Sequence, residues 1–335
     1  MNCGRIAVAG AWERMVESQG VRSDRTPKPK TRISRPSARR RDLAAVERAL
    51  DAARAHLRRC ALCPRACGVD RTRGERGFCG AGLAPRVASF AVHRGEEPPI
   101  SGTRGSGNIF LAGCNLACRF CQNYPISRLG VGRDLTAEGF AQGLLGLARR
   151  GVHNLNFVTP TPWTPQIIEA LLLARRGGCD LPVVWNCGGY EALPVLRLLA
   201  GVVDVWLPDM KYADGRRAWR LSRAPRYADA NRRAVAAMVR QAGPLRLGRD
   251  GLARRGVLVR HLVLPGGLDD TRAVLSSLCA IDPRVPVSLM YQYFPAHRAV
   301  GDPVLGRRLW REEAIAARRA LARRGVTEGW VQGYN

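Results

Sequence analysis

From Asn108 onward, short apolar and β-branched runs alternate with stretches in which apolar residues recur every three or four positions. Runs of the first kind suit strands covered on both faces, and the second kind suits amphipathic helices, so the alternation predicts repeated βαβ units with parallel strands. Six strands are expected: Asn108 to Gly113, Asn154 to Thr159, Leu181 to Cys187, Val202 to Pro208, Gly256 to Pro265 and Val285 to Tyr291. Helices should begin near Thr136, Pro165, Tyr190, Arg226 and Asp269, with a last one from about Gly306 to Arg324. Right-handed crossovers would curl the units into an α/β fold, a partial (βα)6 barrel of TIM type. Its working residues should lie at the C-terminal ends of the strands.

Upstream of the barrel, expected over residues 107–335, the pattern changes. Leu43, Val46, Leu50, Ala53 and Leu57 carry helical spacing and lead into a group of cysteines, so residues 42–106 read as a helix plus a small cysteine-rich, metal-binding domain. Residues 1–41 are rich in Arg, Ser, Pro and Lys without apolar periodicity, the signature of a disordered basic tail. An upstream choice of start site would also account for them.

Charge changes the picture less than its size suggests. The balance of 54 basic against 27 acidic residues gives +27, but only Lys28, Lys30 and Lys211 are lysines and no dense basic block follows the tail. That spread argues against nucleic acid as partner. No apolar run approaches the roughly 18 residues of a membrane span. Glu13 and Arg14 interrupt the start before a secretory core can form, so a cytoplasmic chain without membrane association is expected.

Seven of the eleven cysteines fall in two groups. In a reducing compartment such clustering points to metal or redox chemistry. Cys60, Cys63, Cys67 and Cys79 supply four thiolates, which satisfy either a complete iron–sulfur cluster or a tetrahedral zinc; spacing alone does not choose. Cys114, Cys118 and Cys121 follow the first expected strand at C-x3-C-x2-C spacing. Three thiolates suit three irons of a [4Fe-4S] cube and leave the fourth open for a small molecule with adjacent amino and carboxylate groups. Zinc held by these three and another ligand is the competing reading.

The loop Gly113-Cys114-Asn115-Leu116-Ala117-Cys118-Arg119-Phe120-Cys121, with the segments His93 to Gly102, NFVTPTPWTPQI, WLPDMKY, VRHLVLPGG and SLMYQYFPAH, resembles the radical SAM proteins. The resemblance spans about residues 57–335. Within that superfamily it is to a branch related to the pyruvate formate-lyase activating enzyme that carries an N-terminal four-cysteine motif. It implies a [4Fe-4S] cluster on Cys114, Cys118 and Cys121 and reductive cleavage of S-adenosylmethionine to a 5′-deoxyadenosyl radical for hydrogen abstraction. It implies a flavodoxin- or ferredoxin-like reductant, and a protein substrate activated as glycyl-radical enzymes are. Modification of RNA or a small molecule, and a non-catalytic iron–sulfur or zinc protein, stand as alternatives.

Residue by residue, the Gly-Gly-Glu of many relatives is replaced here by Thr159-Pro160-Thr161-Pro162. Backbone carbonyls or the hydroxyls of Thr159 and Thr161 would then receive the SAM ammonium. Asp209-Met210-Lys211 matches the family's Asp-x-Lys, with Lys211 facing the SAM carboxylate. Arg260 and His297 match basic positions near SAM, and Asn186 would contact the ribose or methionine.

Overall fold

The computed structural model describes residues 43–323 and 329–331; the expected tail and Cys3 lie outside the described residues. In chain order the elements are α1 (Leu43–Arg58), β1 (Arg86–His93), α2 (Pro98–Ser101), β2 (Ser106–Leu111), α3 (Tyr124–Ser127), β3 (Arg133–Asp134), α4 (Ala137–Arg149), β4 (Leu155–Val158), α5 (Thr164–Arg176), β5 (Val183–Cys187) and α6 (Leu193–Leu198). There follow β6 (Val205–Pro208), α7 (Gly215–Ser222), α8 (Tyr227–Ala242), β7 (Arg246–Leu247), β8 (Ala253–Val257), β9 (Val259–Leu262), α9 (Leu268–Ile281), β10 (Val287–Met290), α10 (Arg311–Ala322) and β11 (Gly329–Val331).

The fold is mixed α/β. One sheet of eight strands runs β3-β1-β2-β4-β5-β6-β8-β7, and a second runs β11-β10-β9. From β2 to β8, and again from β9 to β11, neighbours are parallel, and a bridge between Asp209 and Arg260 ties the end of β6 to β9. The stretch expected as one strand from Gly256 is divided at Leu258. Gly256 adopts φ +122° there, and a side chain would meet the Pro244 carbonyl at 2.3 Å.

Alternation gives the parallel strands two different faces. Phe157, Trp185 and Trp206 stand beside one another in register and pack into the helix-covered core, with Phe140 of α4 edge-on to Phe157. The other face holds a small apolar cluster of Ile100, Val184, Val205, Leu207, Ala253 and Leu258. Asn108 and Asn156, paired across β2 and β4, share that face with Arg260 and Ser288, paired across β9 and β10.

Several expectations shift. The four-cysteine segment belongs to the same compact unit as the strands and helices that follow it. Its helix α1 buries Val46, Ala49, Leu50 and Ala53 and is tied to α5 by Arg54–Glu169 at 2.7 Å and Arg176–Glu47 at 2.5 Å. The third helix starts at Leu193 and not at Tyr190, because Tyr190 is buried against Tyr227 and donates its hydroxyl to the Pro225 carbonyl. The last helix starts at Arg311, where Glu313 accepts from the Trp310 N–H and closes a capping box. The antiparallel strand β1 and the helix α7 were not among the expected elements.

Candidate metal centre

The chain leaves β2 through Ala112, whose carbonyl accepts from Trp163 Nε1 at 2.6 Å, and turns at Gly113. Gly113 has φ +79°, and a Cβ on it would lie 2.4 Å from the Cys79 carbonyl. Both features require glycine there. The loop beyond is held from α7: the N–H groups of Ala117 and Arg119 donate to the carbonyls of Ser222 and Leu221 at 2.9 and 2.8 Å. Each thiol then has a polar neighbour. Leu116 N–H donates to Cys114 at 3.4 Å, Ser222 Oγ donates to Cys118 at 3.0 Å, and Ser127 Oγ lies 3.2 Å from Cys121.

Burial pushes the Cys118 thiol up to about 11 against the opposing charge of Lys211, and burial with the neighbouring Cys118 raises Cys114 further. Thiols so placed stay protonated by themselves. A metal among them reverses that, because a coordinating thiol is deprotonated outright. Among the described residues no three His, Cys, Asp or Glu side chains converge as closely as a single ion requires.

Lys211 faces this loop. Its ammonium is 2.6 Å from Asp209 Oδ2; burial works against its charge, but the Asp209 carboxylate outweighs that and holds it charged. Thr159 sits at the end of β4 with φ +59°, a left-handed conformation unusual for a β-branched residue, and its N–H donates to the Asn186 carbonyl at 3.0 Å. Asn186 is half-buried on the face away from the helices. His297 has φ +53° and stacks on Tyr124 at 4.8 Å, three residues past Cys121.

Two expected contacts are already engaged. Thr161 is buried and donates its hydroxyl to Glu191 Oε1 at 2.7 Å. The Arg260 guanidinium is taken up by Glu97, at 2.7 and 2.6 Å, and by Glu96, whose other oxygen accepts from Asn108 at 2.7 Å and Asn156 at 3.2 Å. Burial works to raise Glu97, yet Arg260 holds it below its ordinary value.

The four-cysteine segment folds back on itself. Cys60 N–H donates to Val69 O and Gly68 N–H to Cys60 O at 3.1 and 2.9 Å, and Asp70 caps a turn over Arg71–Arg73. Gly77 leaves room for a thiol: a Cβ there would be 2.7 Å from Cys67 Sγ. Cys60, Cys63, Cys67 and Cys79 line one pocket with Arg65, Arg71 and Asn115. Arg71, 2% exposed, donates to Pro162 O at 2.5 Å and to the sulfurs of Cys60 and Cys79 at 3.2 and 4.0 Å.

Three neighbours of these sites escaped sequence reasoning. Glu191 is 2% exposed, with Oε2 unpartnered, and burial raises its carboxyl to about 7. A carboxylate just after Gly188-Gly189 at a strand end is a signal that would have found it. Arg71 is one arginine among many in its segment, and Ser222 reaches Cys118 across 104 residues, so neither left a local mark.

Over 264 residues, 77% of this chain and 72% of the other, the sequence is 31% identical to the uncharacterized protein MJ0674 of Methanocaldococcus jannaschii. The chain belongs to the MJ0674 family. A second protein of that organism, MJ0808, is 28% identical over 168 residues, spanning 44% of this chain and about half (49%) of its own length. No family model matches. Among solved structures, Streptococcus suis SuiB bound to S-adenosylmethionine has a TM-score of 0.46 at 10% identity, covering 66% of this chain and 48% of SuiB. Methylornithine synthase (PylB) has 0.43 at 16%, covering 63% and 60%; the radical S-adenosylmethionine methyltransferase TsrM from Kitasatospora setae has 0.39 at 15%, covering 66% and 38%. The chain thus spans less than two thirds of each of these structures.

Proposed function

We propose that this chain is a radical SAM enzyme whose Cys114, Cys118 and Cys121 hold a [4Fe-4S] cluster at the end of β2. The observation that carries the reading is that one loop presents three hydrogen-bonded thiols beside the charged Lys211. When bound, the cluster supplies one-electron reductive cleavage of S-adenosylmethionine to methionine and a 5′-deoxyadenosyl radical that takes hydrogen from substrate.

The residues divide the remaining work. Lys211, kept charged by Asp209, receives the SAM carboxylate. Glu191 offers its unpartnered Oε2 to the SAM ammonium where relatives use a Gly-Gly-Glu carboxylate, and Thr161 fixes the direction of that carboxylate. Thr159, left-handed at the end of β4, would offer backbone carbonyls to the same ligand. Arg260 is assigned a different part: paired with Glu96 and Glu97, it ties the segment before β2 to β9 on the face away from the helices. The tie between β6 and β9 supports the partial barrel as the frame that holds these strand ends together. Cys60, Cys63, Cys67 and Cys79 hold a second metal centre.

The substrate reading is a protein partner activated by hydrogen abstraction, with a flavodoxin- or ferredoxin-like reductant; it rests on the sequence resemblance. The binding part of the proposal is tested on reconstituted, dithionite-reduced protein. SAM should alter the electron paramagnetic resonance signal of the cluster, and Lys211→Ala should weaken that titration at least about tenfold, the loss of one charge-assisted contact. A signal indifferent to SAM would contradict it.

A further inference from the structure

Arg71 is a buried cation, and none of its hydrogen bonds goes to a carboxylate. Its hydrogen-bond partners are a carbonyl and two cysteine sulfurs, and neutral thiols do little to offset a guanidinium withdrawn from water. The arrangement is balanced when the sulfurs are thiolates. Arg65 adds a second positive charge: it lies between Cys63 and Cys67 in the chain, stacks on Phe78 at 3.4 Å, and lines the same pocket. Four thiolates in one pocket repel each other unless a cation binds them, and two guanidiniums match the double negative charge of a four-thiolate metal centre.

The shared pocket and its place beside the three-cysteine loop favour a cluster over zinc. The four thiols surround one pocket. A zinc draws its sulfurs to about 2.3 Å around one atom, whereas a cubane spreads them over its corners. The pocket also adjoins the three-cysteine loop. Arg65 Nε donates at 2.8 Å to the carbonyl of Asn115, the residue after Cys114, and the carbonyl of Cys79 abuts Gly113.

We propose that Cys60, Cys63, Cys67 and Cys79 hold a second [4Fe-4S] cluster that accepts one electron at a time from a low-potential protein donor and passes it to the three-cysteine site. The donor is oxidised by one electron and the three-cysteine site reduced by one, with no net change at the relay. The relay role rests on the radical SAM reading; the metal assignment does not.

The first test is metal content. Reconstituted wild type should hold about eight irons and eight sulfides, and the Cys114→Ala/Cys118→Ala/Cys121→Ala variant about four of each, with a signal on reduction that SAM leaves unchanged. One zinc in place of the second four irons, in wild type or variant, overturns the assignment. Wild type alone suffices should the variant not fold. Arg71→Gln should lower the midpoint potential of that signal, since it removes N–H contacts to the sulfurs; an unmoved potential would leave Arg71 a packing residue only.

The second test counts electrons. Wild type reduced by dithionite, freed of excess reductant and given SAM should release about two methionines per chain if the second cluster feeds the first. One methionine per chain overturns the relay. None, from protein whose triple variant still carries four irons, overturns the functional reading and the relay together and leaves the cluster assignment standing.

Discussion

At the scale of single residues, two buried carboxylate sites make opposite predictions. Glu191 has its proton held by burial, to about 7 from an ordinary 4.5. Between those values the folded chain keeps a proton that the unfolded chain has lost, so stability falls as pH rises through that window. The cost above it is about 3 kcal/mol. Glu191→Gln should therefore remove that slope and be the more stable protein in urea denaturation at pH 8, with no such advantage at pH 4; a wild type whose stability is flat from pH 5 to 8 would refute this. Arg260 is the reverse case, because its removal strands Glu96 and Glu97 without a counter-charge. Arg260→Ala should cost about 3 to 5 kcal/mol at neutral pH by the same measurement. A loss below about 1 kcal/mol would mean that the pair is solvated. Glu191, just after Gly188-Gly189 at a strand end, was within reach of sequence reasoning, whereas the pairing of Arg260 with Glu96 and Glu97, more than 160 residues away, carries no local pattern.

Element scale shows what was legible and why. The strands β2, β4, β5, β6 and β10 were found because parallel strands covered on both sides are written as apolar runs, and their helices because one face repeats. β1 was missed because most of its residues are only half-buried and its partner β2 precedes no hairpin signal: residues 94–105 lie between them. The final helix was set too early because Leu305 and Leu309 are buried in the approach to it rather than in the helix itself. The cysteine loop was legible from three residues and their place after β2, whereas the turn that makes it possible depends on Gly113 lying against Cys79. Gly113→Ala combines positive φ with that contact, so it should lower stability by about 2 kcal/mol or more and reduce iron incorporation at both cysteine groups. Full iron content in a folded Gly113→Ala protein would show that the two groups are not mechanically joined there.

For the whole molecule, the four-cysteine segment and the strands and helices that follow it belong to one compact unit. The helix α1 lies on α5, β1 pairs with β2, and the four-cysteine segment closes against the loop that carries Cys114, Cys118 and Cys121. Among the described residues no helix is long and apolar enough to cross a membrane. The strong positive charge finds a local use in Arg65 and Arg71, which face the thiols, rather than in a single basic patch. The three-cysteine loop remains the centre of the account, and the most direct test of it is anaerobic. Protein reconstituted with iron and sulfide is incubated with dithionite and SAM, and 5′-deoxyadenosine is quantified against Cys118→Ala treated identically. The account predicts 5′-deoxyadenosine from the wild type and none above background from the variant; equal amounts from both, or none from a wild type carrying its full iron, would contradict it.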